Sequence, residues 1–204
     1  MSETTDTRRG RPGYDQRAVL DVAVDAFNEY GYDATSMGVL AERLGLSKSA
    51  IYHHFAAKED ILELALDEAL TALENVLAAA DTAASGSASD RLAAVLRGAV
   101  TVLVDKLPSV TLLLRVRGNT DVERRALARR RAFDRAVASL VVEARDEGSL
   151  RSDIEPGIVA RLLFGMINSI VEWYRPGGQV DAATLADDVL AVALDGLRTQ
   201  APGQ

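Results

Sequence analysis

The chain has 204 residues, 48% of them apolar and 26% charged, with a formal net charge of −7; this length admits one or two domains and a substantial core. There are no cysteines, which excludes disulfides, thiolate chemistry and cysteine-bound metal. No run approaches about 18 uncharged apolar residues, and residues 1–6 are polar and acidic where a signal peptide would be basic and then apolar, so a soluble cytoplasmic protein is expected.

Residues 1–13 read as a flexible arm carrying Arg8, Arg9 and Arg11 ahead of Pro12. Arginines in such an arm can reach a minor groove or run along phosphates beside a small helical head; the alternative is a solubilising tail. A first helix is predicted from the N-cap Asp15 to Tyr30, stopped by Gly31. Its apolar stripe is Leu20, Ala23, Phe27 and Tyr30.

The next stretch reads as a helix-turn-helix. Leu40, Ala41 and Leu44 make one apolar side on a segment from Ser36 that is too short to stand alone. Gly45 then offers a left-handed stop without a Cβ penalty, and Ser47 is a good N-cap for a second helix. At about 100° per residue, Ile51 and Phe55 mark the buried side of that helix. Ser49 and His53 then point outward, flanked by Lys48, Ala50 and Tyr52, and His54 falls nearer the buried side. The outer face carries donors, an aromatic ring and a cation but no carboxylate, which suits the edge-patterned, anionic major groove of DNA. Any one of these residues taken alone would pass as a packing or solvated side chain. The acidic total limits non-specific binding, yet of only three lysines two, Lys48 and Lys58, bracket this helix.

The run 30–36, the run 40–47 (Leu-Ala-Glu-Arg-Leu-Gly-Leu-Ser), Ile51-Tyr52-His53-His54-Phe55 and the run 58–62 (Lys-Glu-Asp-Ile-Leu) together resemble the amino-terminal signature of TetR-family regulators. The resemblance implies an all-α fold of about nine helices. In it a three-helix head with the helix-turn-helix precedes a larger effector-binding and dimerisation body. It implies a homodimer on a double-stranded DNA operator and repression relieved by a small-molecule effector. By position, Lys48, Ser49, Tyr52 and His53 match the family's recognition-helix contacts, and Ser36 and Lys58 its phosphate anchors. Gly38 departs from members that place a long base-reading side chain there, so no base contact is expected from the first helix of the motif. The domain limits expected are 1–13 for the arm, 14–60 for the DNA-binding head and 61–204 for the body.

A long connecting helix is predicted from Lys58 to about Ala80, with Ile61, Leu62, Ala65, Leu66, Ala69, Leu73, Val76 and Leu77 inward. In the family this helix swings when effector binds and changes the separation of the two heads. Residues 81–89 read as a small-residue loop, Ser89 or Asp90 as the cap of a helix to about Lys106, and Pro108 as the opening of a helix to roughly Arg117. Leu103, Leu107, Val110, Leu113 and Leu114 are candidates for lining a pocket, with plain core packing as the alternative.

Residues 115–135 hold eight arginines. On a helix from about Thr120 to Gly148 the apolar face is Ala126, Phe133, Val137, Leu140 and Ala144, which puts Arg124, Arg131 and Arg135 toward solvent. Arg130 falls about 40° from the centre of the apolar face, so if buried it must be paired or bound to a ligand. Asp134, four residues on, is the partner the register offers; the phosphates of an effector are the alternative.

Two further helices are predicted, one opened by Pro156 and stopped by Arg175-Pro176-Gly177-Gly178, the other capped by Asp181 and running to about Arg198. The first is apolar all round and should be buried on every side. Their surplus apolar surface points to an isologous dimer through these two helices. The runs 153–156, 164–170 and 173–178 also resemble a branch of TetR regulators controlling the breakdown of fatty acids, steroids or aromatic acids, whose members respond to coenzyme A thioesters. That resemblance implies an acyl or aromatic coenzyme A thioester as effector, with Arg130 as a phosphate contact and Asn168 and Trp173 as either pocket or dimer-interface residues; Leu113 and Phe133 complete the set of candidate effector residues. No catalytic residue, metal or cofactor is expected: both histidines lie in the recognition helix, and no phosphate loop, dinucleotide fingerprint or HExxH site is present. A carboxylate-only enzyme or a helical carrier without a DNA role are the rival classes, and neither explains the head.

Overall fold

The computed structural model describes residues 15–82 and 86–196, and among these it contains nine α-helices and no strand. Arg8, Arg9 and Arg11 lie outside the described residues, as do residues 197 and 198, to which the last helix is predicted to run. The chain divides into two compact units, Met1–Ile61 and Leu62–Gln204.

In the first unit, α1 (Gln16–Tyr30) is capped by Asp15, whose carboxylate accepts from Ala18 N at 2.8 Å, and ends at Gly31, φ 88°. Its buried residues are Val19, Leu20, Ala23, Val24, Ala26 and Phe27. Tyr30 departs from the expected stripe and is 51% exposed. The reason is polar: its hydroxyl accepts from Arg43 at 3.1 Å and the same guanidinium lies over its ring. α2 (Met37–Leu44) buries Met37, Leu40, Ala41 and Leu44, and Gly45 closes it at φ 63°, ψ 30°. That backbone region favours glycine. Ile51 of α3 (Lys48–His54) and Phe55 beyond it complete a small core with α1 and α2.

α4 (Lys58–Thr82) starts in the first unit and runs into the second. In the second unit, α5 (Ala88–Asp105) is the central helix, packed against α7 (Asp121–Asp146) and α9 (Ala182–Asp195), while α8 (Pro156–Trp173) packs on α7 and the short α6 (Leu107–Arg115) meets α5 and α8. The cap of α5 is Ser87 and not Ser89 or Asp90. Ser87 and Asp90 form a reciprocal capping box, so Asp90 serves from inside the helix. α4 meets α5 at a notch: a Cβ added at Gly98 would stand 2.5 Å from Val76 Cγ1.

α8 is not buried on every side in the single chain. Val159, Leu163, Ile167 and Ile170 are buried, but Ile158, Leu162 and Trp173 form an exposed stripe at four-residue and eleven-residue spacing, with Leu162 63% exposed. Val192 of α9 is 70% exposed. Among the described residues no helix is long and apolar enough to cross a membrane.

Candidate nucleic-acid interface and effector cavity

The outward side of α3 is set by its two ends. Ser47 Oγ accepts from Ala50 N at 3.2 Å and lies 2.9 Å from Ser49 Oγ, so the first turn is fixed by hydroxyls; such a cap stabilises a helix by about 1 kcal/mol. Ile51, wholly buried, then fixes the rotation. Lys48, Ser49, Tyr52 and His53 all reach the surface on that side, Tyr52 with 52% exposure. His54 is half-buried, its ring edge-on to that of His53.

Gly38 has a use that its sequence position alone did not reveal. A Cβ there would lie 3.0 Å from Lys48 Cε and 3.3 Å from its Nζ, so the lysine stem crosses α2 where any other residue would carry a side chain. Ser36 caps α2, accepting from Val39 N at 3.2 Å, and stays exposed. Lys58 is more committed than a free phosphate anchor would be. Its ammonium donates to Tyr32 O at 2.9 Å and Thr35 O at 3.1 Å and sits 4.2 Å from the Tyr32 ring centroid, so two of its three donors hold the loop between α1 and α2.

The second site lies between α7 and α8. Arg130, Arg131, Asp134, Arg135 and Ala138 on one side and Gly157, Ala160, Arg161, Phe164, Gly165 and Asn168 on the other enclose a cavity of about 490 Å³. That is within the usual range for a small-molecule site. Next to it is a smaller apolar space, the throat, of about 40 Å³, walled by Leu73, Leu103, Val110, Leu113, Leu114, Phe133 and Ile167, with Arg130, Asp134, Phe164 and Asn168 lining both spaces. Phe133 and Phe164 meet edge to face at 5.3 Å.

The structure therefore brings Arg130, Leu113, Phe133 and Asn168 together, and it does not bring Trp173 to them. Trp173 is five residues beyond Asn168, about 140° round the helix, and stands on the exposed stripe of α8. Leu107 also lies outside both spaces. Arg131 and Arg135 are exposed, as phase predicts, and stand at the outer edge of this cavity, where the exposed Arg161 of α8 joins them. The expected Arg130–Asp134 pair does not close: the Asp134 carboxylate makes no hydrogen bond or close ion pair among the described residues. Burial pushes its carboxyl above the usual aspartate range, and the nearby charges of Arg130, Arg135 and Arg161 only partly oppose this.

The other arginines of α7 are spoken for. Arg124 pairs with Asp121 at 2.5 Å, Arg125 with Glu63 at 2.7 Å, and Arg145 with Asp146 at 3.1 Å. Arg129 reaches Asp67 at 2.6 Å, Glu74 at 2.8 Å and Thr71 at 3.0 Å on α4. The Arg129 guanidinium holds the Glu74 carboxyl below the ordinary glutamate range. Arg130, Arg131, Arg135 and Arg161 have no carboxylate partner among the described residues. Another carboxylate works locally: buried Glu123 accepts from Gly118 N at 2.7 Å and Asn119 N at 2.6 Å, and so ties down the loop ahead of α7.

A three-helix unit presenting a capped second helix, joined to a helical unit with an arginine-rimmed cavity, defines a helix-turn-helix regulator of transcription. The chain belongs to the TetR family: residues 19–65 match the model described as bacterial regulatory proteins, tetR family, and residues 85–197 that of the tetracyclin repressor-like C-terminal domain. The HTH-type transcriptional repressor KstR2 of Rhodococcus jostii is 28% identical over 188 residues, covering 88% of this chain and 89% of the relative. The crystal structure of SCO3833, a TetR-family regulator of Streptomyces coelicolor, is 46% identical with a TM-score of 0.83, over 97% of this chain and 99% of that one. AibR, solved in complex with isovaleryl coenzyme A and operator DNA, shares the fold at a TM-score of 0.74 and 22% identity, over 88% of this chain and 97% of that one.

Proposed function

We propose that this regulator is a dimeric repressor that leaves a palindromic operator when an amphiphilic effector, a coenzyme A thioester, fills the cavity between α7 and α8. The observation that carries the effector reading is the set of four guanidiniums without carboxylate partners on one rim. Arginine's fork of donors matches phosphate oxygens, and the apolar throat behind the rim suits an acyl or aromatic tail. The same fold holds a coenzyme A thioester in AibR. Leu73 of α4 is part of the throat wall, so a tail that enters it presses on the connecting helix.

In this reading the head, residues 14–60, places Tyr52, Ser49 and His53 at base edges. Lys48, Ser36 and Arg8, Arg9 and Arg11 of the arm serve the phosphates and the adjacent groove, and the remaining donor of Lys58 is available to a phosphate. The exposed stripe of Ile158, Leu162 and Trp173 with Val192 of α9 is the surface for the second copy. An apolar stripe left open in one chain is what an isologous helical interface covers.

Footprinting of the purified protein on DNA flanking its own gene, with and without acyl and aromatic coenzyme A thioesters, tests the whole. A protected palindrome that one thioester abolishes is the expected result; protection indifferent to every thioester would overturn the effector. Tyr52→Ala is expected to remove protection with helicity and dimer mass unchanged, and protection that persists would overturn the assignment of α3 contacts.

A further inference from the structure

The passage between rim and throat is walled by four side chains common to both spaces: Arg130, Asp134, Phe164 and Asn168. Two of these are chemically one-sided. A guanidinium only donates and an ionised carboxylate only accepts. They stand four residues apart on α7, at helical neighbour spacing, yet the Asp134 carboxylate is left without a hydrogen bond or close ion pair among the described residues. A half-buried carboxylate that keeps its acceptors open costs free energy, and burial does raise its pKa. A site meant only for phosphates would do better without it, since it repels the same anion that Arg135 and Arg161 attract.

We propose that Asp134 is a specificity-determining residue that accepts the N–H of a secondary amide in the segment joining the effector's anionic head to its apolar tail, while Arg130 beside it donates to the carbonyl of that amide. The N–H and C=O of a trans amide point to opposite sides, so a linker that runs between the Asp134 carboxylate and the Arg130 guanidinium meets an acceptor on one side and a donor on the other. The rim then reads charge, the throat reads apolar bulk, and the passage reads the linker. This rests on the effector reading given above and adds to it a requirement on the ligand's middle. It also gives a reason for a carboxylate in an arginine-lined cavity: an anionic molecule with a plain hydrocarbon linker leaves Asp134 desolvated and unpaired, and is rejected.

Two probes of matched length test this by titration calorimetry on the full chain: butanoyl-coenzyme A, and an analogue in which both linker amides are replaced by ethylene units while the phosphates, hydroxyl and thioester are kept. The wild-type protein is expected to bind the amide-bearing probe about 10- to 100-fold more tightly, the span of a hydrogen bond to a charged group. Asp134→Ala should bring the ratio near one, and Asp134→Asn, which keeps an acceptor oxygen, should retain part of it. The ratio between probes cancels the general gain in anion affinity that loss of a negative charge brings. Equal binding of both probes by the wild type, or a preference that survives Asp134→Ala, overturns the inference and leaves the effector reading standing. Binding of neither probe overturns both.

Discussion

Arg129 and Arg130 are adjacent in the chain and their surroundings are opposite. Arg129 turns to α4, where Asp67, Thr71 and Glu74 use its donors in a three-partner clamp; Arg130 turns to α8, into a cavity where three more guanidiniums also lack carboxylate partners among the described residues. One face of α7 is electrostatically complete and the other is open. Arginine abundance thus says nothing until the register of the helix and the identity of its neighbours divide the charges into those that hold the body together and those available to an outside anion.

The largest effect should come from emptying the open face. Arg135→Leu with Arg161→Leu is expected to weaken coenzyme A thioester binding by at least about 100-fold, as two charge-assisted contacts are lost. The thermal midpoint of the ligand-free protein should hold or rise, because like charges are removed from one rim. Calorimetry and a melting curve check the two halves, and a ligand affinity unmoved by both changes would break the comparison.

Removing the closed face should do the reverse. Arg129→Met is expected to cost about 1–2 kcal/mol, the range for an exposed but multiply bonded network, or roughly 2–8 °C in the melting midpoint of a chain of this size. Ligand affinity should change little. The cost should also depend on pH with a known sign. Glu74 titrates below its ordinary value in the folded chain, so the stability that Arg129 lends is present above the usual glutamate pKa and is lost as pH falls through the depressed one. Wild type and variant should therefore converge in acid.

The smallest effect sits between the two faces. Asp134→Asn should raise the midpoint of the ligand-free protein by about 2 °C. The folded-state pKa of Asp134 is raised, so its charged form opposes folding at neutral pH and that opposition fades as pH falls through the raised value. The gain from asparagine should accordingly be greatest near neutrality and shrink in acid, and a gain that grows in acid would contradict the burial seen here.

Much of the head could be read directly because its signals are local. Asp15, Gly31, Gly45 and Ser47 each begin or end a helix by their own chemistry, and Ile51 and Phe55 follow from one rotation angle. Tyr30 was misplaced because an aromatic at a helix end has a polar edge, and Arg43, thirteen residues on, draws it outward. The cavity needed information that no single helix contains. Phase puts Arg130 near the apolar face and Arg131 and Arg135 toward solvent, where the structure has them, but that a cavity opens beside them depends on the packing of α8 on α7, and Arg161 arrives only with that packing. The start of α5 is ambiguous for a different reason: several capping-type residues, Ser87, Ser89 and Asp90 among them, are scattered through a run of small ones, and the reciprocal bonds of Ser87 and Asp90 choose among them.

The contact of Val76 with Gly98 gives α4 a mechanical ratio. Leu73, in the wall of the throat, is three residues from Val76, and Leu62 is fourteen; at the rise of an α-helix these are lever arms of about 4.5 Å and about 21 Å. With α4 pivoting at this contact, a shift of about 0.4 Å imposed on Leu73 becomes roughly 2 Å at Leu62, a gain of nearly fivefold. In the effector reading proposed above, a tail that displaces Leu73 acts on the short arm of this lever.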